Sequence, residues 1–143
     1  LYGWDLATRD LRERTRRARS AAAVLGHPVG RRHDQGFVHR DLKGNNLLLR
    51  DQGEEVEAFL IDLDGLRQRR HVPFAACTKG LTRLAVSAEM HPWLSRTDRL
   101  RFLRAYLRQM AENRRTWKTW WRALGTALDT ALAEIRAAGK PIA

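Results

Sequence analysis

The sequence predicts an α+β fold, mainly helical, with one short β-hairpin set between longer helical stretches. Three observations lead there. Two compact apolar runs, Leu47-Leu48-Leu49 and Phe59-Leu60-Ile61, flank a turn at Asp51-Gln52-Gly53, which suits two antiparallel strands. The stretches on either side carry apolar residues at helical spacing. With 143 residues, 43% of them hydrophobic and 30% charged, the chain has room for one domain with a real core and hardly for two. No internal repeat or low-complexity tract divides it.

The first helix is expected over Leu6 to Leu25, where Arg, Glu and Ala dominate and no Gly or Pro intervenes. Its apolar face is thin. Leu11, Ala18, Ala22 and Leu25 share one side while Arg12, Arg14, Arg16, Arg17 and Arg19 crowd the others, so it needs a partner surface. Gly26, Pro28 and Gly30 read as an interruption, and Phe37-Val38 as a short apolar approach to a polar loop. Leu47 to Leu49 is the first strand. Val56 to Leu63 is the second, and its unalternating Phe59-Leu60-Ile61 reads as covered on both faces. Arg67 to His71 is a basic patch, and a short helix is expected from Leu81 to Met90, stopped by Pro92. Ser95 with Asp98 forms a near capping box for the next helix, striped by Leu100, Leu103, Leu107 and Met110 with Tyr106 beside them. Asn113 is the expected cap of a last helix whose stripe is Trp117, Trp121, Leu124, Leu128, Leu132 and Ile135, widened by Trp120 and ended by Gly139 and Pro141. Tryptophans so spaced read as core packing before they read as a stacking platform.

The formal net charge of +11, nearly all of it from Arg, favours an anionic partner: nucleic acid, an acidic membrane surface, or a phosphorylated or acidic substrate. The arginines are dispersed over helix faces and no nucleic-acid-binding motif is present, which makes nucleic acid the weakest of these. Cys77 is the only cysteine, which excludes an intrachain disulfide and a thiolate metal cluster and fits a reducing compartment. His27, His33, His71 and His91 lack the spacing or carboxylate company of a zinc site and read as surface or loop residues. No apolar run approaches the roughly 20 residues needed to cross a bilayer. The start, Leu1-Tyr2-Gly3-Trp4-Asp5, has no Met and no signal-peptide character and reads as the interior of a longer protein.

The chemistry gathers in Gly36-Phe37-Val38-His39-Arg40-Asp41-Leu42-Lys43-Gly44-Asn45-Asn46 and in Ile61-Asp62-Leu63-Asp64-Gly65. Phosphoryl transfer needs one carboxylate to orient a hydroxyl and take its proton, and metal ions to neutralise the phosphates. Asp41 suits the first role. Asn46 and Asp62 offer the oxygen donors that magnesium prefers, and Lys43 places a cation where phosphoryl charge develops. Asn46 would stand just before one strand and Asp62 at the end of the other, so both meet at one edge. Arg40 reads as pairing with a neighbouring carboxylate, and His39 as anchoring the turn through hydrogen bonds. A lone Asp-x-Lys is usually a solvated pair; the two pieces in order, with apolar strands between them, are what carry the reading.

His39-Arg40-Asp41-Leu42-Lys43-x-x-Asn46 resembles the catalytic loop of the protein-kinase superfamily, with Asp62-Leu63-Asp64 where its magnesium-binding Asp-Phe-Gly motif belongs. Ile61-Asp62-Leu63-Asp64-Gly65 followed by Arg67, with the stretch Leu94 to Leu107, is similar to the lipopolysaccharide kinase family, which phosphorylates Kdo or heptose sugars of the inner core. The resemblance runs from about Gly36 to Leu107. It implies a single partial kinase-like domain over residues 1–143, the C-lobe: a catalytic loop over 36–49, a metal-binding strand and turn over 56–65, and helical support over 81–138. It also implies ATP and Mg2+ as cofactors, Asp41, Lys43 and Arg40 as catalytic residues, and Lys43, Asn46 and Asp62 as cofactor-binding, the last two holding the metal. The acceptor would be an anionic sugar or glycolipid, and the setting cytoplasmic, at the inner face of a membrane. Asp64 stands where the superfamily has Gly, as is normal for this family. The Gly-rich loop, the Val-Ala-x-Lys strand and its paired Glu are not in this sequence, so the N-lobe is expected outside it, in a further segment or a partner protein.

Two other readings stay open. The loop also fits a protein Ser/Thr kinase fragment, although no Ala-Pro-Glu occurs between Leu66 and Pro92. A catalytically silent kinase-like remnant acting as a binding module would expose an apolar patch where the N-lobe belongs.

Overall fold

Residues 11–51, 56–111 and 113–142 are described in the computed structural model of the chain. Their elements follow in the order α1 (Leu11–Asp34), β1 (Phe37–His39), β2 (Leu47–Asp51), β3 (Val56–Leu60), β4 (Leu66–Gln68), α2 (Phe74–Ala88), α3 (Arg96–Arg108) and α4 (Trp117–Ala137). This is a helix-rich α+β arrangement with two small antiparallel sheets, β1 with β4 and β2 with β3.

The expected break at Gly26, Pro28 and Gly30 does not occur: α1 runs through all three and ends eight residues beyond Gly26 at Asp34. The glycines serve packing instead. A Cβ on Gly26 would lie 2.4 Å from the Phe102 carbonyl oxygen, and one on Gly30 2.4 Å from that of Tyr106. One turn apart, and joined by buried Ala18, Ala21 and Ala22, they let α1 press its backbone against α3. Tertiary burial outweighs the poor propensity of Gly and Pro here. Of the first-helix expectation, Leu6 to Asp10 lies outside the described residues.

The hairpin forms, in the register Leu47↔Leu60 to Asp51↔Val56, but β3 stops at Leu60 rather than at the expected Leu63, because Asp62 turns left-handed into a tight turn over Leu63–Gly65. The residues of its turn after Asp51 lie outside the described ones. Burial on both faces was the wrong reading of β3. Phe59 is 41% exposed and Ile61 39%, with Leu48, opposite Phe59, at 37%. A two-stranded ribbon has only one face to give to the core, and Leu47 and Leu49 occupy it. The second pair, β1 with β4, was not foreseen; it takes Arg67 and Gln68 of the basic patch into a strand.

Helix α2 starts at Phe74, after Pro73, rather than at Leu81, so the helical support begins seven residues earlier than expected. Gly80 inside it faces Leu42 and His33 at van der Waals distance. The capping box of α3 is present: the Ser95 Oγ accepts from the Asp98 amide at 3.1 Å, and the Ser95 amide donates to the Asp98 carboxylate at 3.1 Å. The last helix is capped by Thr116, not Asn113. Asn113 is committed elsewhere, its Oδ1 accepting from the Arg115 amide at 3.1 Å and from the Trp120 indole N–H at 3.0 Å. Of the three neighbouring tryptophans, Trp120 is the one in the core; Trp117 is 38% exposed. Gly139, at φ +63°, ends α4 as expected, with the Lys140 amide donating to the Ile135 carbonyl at 3.2 Å.

The core is centred on Tyr106, fully buried on α3. Trp120 of α4 meets its ring edge-on at 5.7 Å between centroids, and Phe74 of α2 meets Trp120 at 4.6 Å. His33, which the sequence suggests is a surface or loop residue, is a core residue instead. It is buried, and its Nδ1 lies 2.6 Å from the Tyr106 hydroxyl. Burial holds its imidazole at about 4, well below the ordinary 6.5, so it is neutral at physiological pH. The same burial pushes the Tyr106 phenol and the Cys77 thiol up. Leu42, from the polar loop, reaches into this core and fastens the loop to the helices.

Candidate active site

The loop from Arg40 to Asn46 leaves β1 and enters β2. Pairing of β1 with β4 (Phe37↔Gln68, Val38↔Arg67, His39↔Leu66) brings the start of this loop against the chain that follows Asp62, and the Arg40 amide donates to the Gly65 carbonyl at 2.9 Å. At the junction lies His39, buried. The Asp41 amide donates to His39 Nδ1 at 3.1 Å, and His39 Nε2 lies 2.8 Å from the Asp62 carbonyl oxygen. An amide N–H can only donate and a carbonyl can only accept, so Nδ1 is bare and Nε2 carries the proton. One imidazole in one tautomer therefore ties the backbone of Asp41 to that of Asp62. Gly65 leaves room for it, since a Cβ there would come within 2.9 Å of the His39 ring.

Within the loop, residues alternate between anchoring and exposure. Leu42 is buried in the core, and Gly44 is buried with its amide donating to Ser87 Oγ of α2 at 2.8 Å. The Asn46 amide donates to the Lys43 carbonyl at 3.0 Å, and its side-chain Nδ2 donates to the Asp41 carbonyl at 2.7 Å. Asp41 and Lys43 face outwards, the Lys43 ammonium 3.2 Å from the Asp41 carboxylate. A pair this exposed adds about 0–1 kcal/mol to stability, so the pair is not what holds the fold together. Arg40 is exposed and, contrary to expectation, forms no ion pair among the described residues.

The last rung of the hairpin is followed by a hydrogen bond from the Ile61 amide to the Asn46 carbonyl at 2.8 Å, which sets Asn46 and Asp62 at the same end of the ribbon. Asp62 has φ 60° and ψ 61°, a left-handed conformation that Asp tolerates better than most residues but that favours Gly. Its exposed carboxylate has no ion-pair partner among the described residues. The amide nitrogen of Asn46 is engaged, which leaves Oδ1 as its ligand atom. One amide oxygen and one carboxylate suit a hard cation such as Mg2+, which takes few protein ligands and completes its shell with water and phosphate oxygens. Among the described residues no group of three or more His, Cys, Asp and Glu could hold a metal, so a closed zinc-type site is not formed by them. Asp64 is exposed, and its carbonyl accepts from Arg67 at 3.0 Å.

The structure thus brings Asp41, Lys43, Asn46 and Asp62 to one end of the hairpin; Arg40 joins them through its backbone, and its side chain forms no ion pair among the described residues. Ser87 supports the loop from afar in sequence with no motif to mark it, whereas Gly65 closes the Ile61–Gly65 motif, although its packing on His39 was not read from it.

The model of the lipopolysaccharide kinase (Kdo/WaaP) family matches residues 4–106. Among solved structures, WaaP in complex with acyl carrier protein is similar, with a TM-score of 0.68 and 25% identity. The likeness covers 94% of this chain and 53% of that one, so the chain spans about half the length of the solved relative. Among curated proteins, none matches. The family match takes in the catalytic-type loop, both small sheets, α2 and most of α3. The chain belongs to the lipopolysaccharide kinase (Kdo/WaaP) family.

Proposed function

We propose that residues 1–143 form the C-lobe part of an ATP- and magnesium-dependent kinase acting on a hydroxyl of a lipopolysaccharide core sugar. The observation that carries this reading is the His39 bridge, which fixes the Asp41 backbone to that of Asp62. A proton acceptor and a metal ligand from separate segments are thereby held in one frame.

In this reading the Asp41 carboxylate orients the sugar hydroxyl and takes its proton as the new oxygen–phosphorus bond forms. The bond to the leaving nucleotide oxygen breaks on the opposite side. Lys43, held 3.2 Å from Asp41, offsets the charge on the transferred phosphoryl oxygens. Asn46 Oδ1 and the Asp62 carboxylate would hold magnesium, which supplies charge neutralisation to the ATP phosphates when bound. The exposed apolar face formed by Leu48, Phe59 and Ile61 lies beside this site, where a nucleotide base and a covering lobe would rest. Arg40 is exposed at the loop's edge and would meet anionic substrate rather than a structural carboxylate. The solved relative's complex makes an acyl carrier protein the protein partner to test first. No described helix is long and apolar enough to cross a membrane; a glycolipid acceptor would be met at the inner membrane face.

The test is transfer of labelled γ-phosphate from ATP, with Mg2+, to Kdo-containing core lipid and to a generic protein, using the intact protein that carries this chain. Label in the lipid, absent in the Asp41→Ala variant, is the expected result. Label in the protein acceptor alone, or undiminished transfer by Asp41→Ala, would overturn the reading.

A further inference from the structure

We infer that the corner between the starts of α3 and α4 is a docking surface for an anionic lipid bilayer. Arg96, Thr97 and Leu100 of α3 and Trp117, Lys118, Trp121 and Arg122 of α4 line a shallow hollow of about 380 Å³ there. Three cations and two indoles surround it, with no carboxylate among the lining residues. Some neighbouring and hairpin arginines are neutralised instead: Arg99 by Glu89 at 2.8 Å, Arg101 by Asp98 at 2.9 Å, Arg50 by Glu57. Arg96, Lys118 and Arg122 are exposed and have no ion-pair partner among the described residues. Beside them Trp117 is the exposed member of its tryptophan cluster, with the Lys118 ammonium 5.8 Å from its ring centre. Trp121 and Leu100 are half-buried in the same hollow.

Unpaired cations beside one exposed and one half-buried indole ring match an anionic lipid surface. Indole is amphipathic and settles at the headgroup level of a bilayer, while Lys and Arg are drawn to its anionic surface potential. A nucleic acid would satisfy the charge too, but an apolar floor of Trp117, Trp121 and Leu100 between the cations matches an interface with acyl chains below it. The inference extends the proposed function, because an enzyme acting on a glycolipid must meet a membrane, and these residues would orient it there. It does not depend on catalysis, and vesicle binding is read separately from phosphate transfer.

The test is co-sedimentation of the protein with vesicles of phosphatidylcholine alone and of phosphatidylcholine mixed with phosphatidylglycerol, over a salt series. Binding only to the anionic vesicles, weakened by salt, is expected. The triple variant Arg96→Gln/Lys118→Gln/Arg122→Gln should bind about a hundredfold more weakly. Arg19→Gln/Arg31→Gln/Arg32→Gln on α1, with the same net charge, should bind almost as the parent does. Trp117→Phe should reduce the blue shift of tryptophan emission on adding vesicles. Equal losses from both triple variants would mean that net charge alone binds the bilayer, and would overturn the inference. So would unchanged vesicle binding in the first triple variant, including the case in which that variant loses only duplex DNA binding. Vesicle binding lost with phosphate transfer to detergent-solubilised acceptor retained would leave the kinase reading standing; the reverse would leave the docking surface standing.

Discussion

The two buried histidines do different jobs, and only one was legible in the sequence. His39 sits in a motif whose neighbours declare it, and hydrogen bonding within the turn was the natural reading. His33 is embedded in an Arg-rich stretch, and its partner Tyr106 lies 73 residues away, so nothing local separates it from a surface histidine. Its burial has a consequence for stability. The folded protein keeps His33 neutral down to about 4, whereas the unfolded chain takes up a proton near the ordinary 6.5. The unfolded state therefore binds more protons in that interval, and stability falls as pH drops through it. The fall amounts to about 3 kcal/mol from this residue. Urea unfolding measured from about pH 7 down to about pH 5 should show about 2 kcal/mol of it. His33→Gln, which removes the titrating group, should lower stability at neutral pH and flatten the dependence. An equally steep dependence in His33→Gln would assign it to other groups.

At the scale of elements, the capping box of α3 and the hairpin were legible because their signals are local: a side chain that reaches three residues, and a turn between two apolar runs. Helix α1 was misread for the opposite reason. Gly26 and Gly30 are breakers by propensity, and only the presence of α3 turns them into contact points. Strands β1 and β4 span three residues each, too few to show a period. The packing account makes Gly26→Ala a severe change, because the new methyl group meets the rigid Phe102 backbone rather than a side chain that can turn aside. Despite the better helix propensity of Ala, a net loss of about 1–3 kcal/mol is expected, read as a lowered urea midpoint. A gain in stability would mean that α1 and α3 do not pack as closely as described.

For the whole molecule, the α+β class and the pairing of two chemical segments were readable in advance, because the loop and the Asp62 turn carry residue types that few other sites need. The frame that joins them was not, since the His39 bridge, the Gly65 gap and the Ser87 support exist only after folding. That frame is also where function and stability part company. Asp62 holds a left-handed backbone that Gly adopts at no steric cost, so Asp62→Gly should leave stability unchanged or raise it by up to about 1 kcal/mol. Asp62→Gly also removes the carboxylate proposed to hold magnesium. The measurement that bears most directly on this site is therefore magnesium-dependent phosphate transfer by the intact protein and its Asp62→Gly variant, beside their unfolding curves. The expected result is a variant at least as stable as the parent whose transfer rate falls by about 10²-fold or more. Transfer at the parent rate, with the same response to magnesium, would contradict the assignment of this end of the hairpin as the phosphotransfer site.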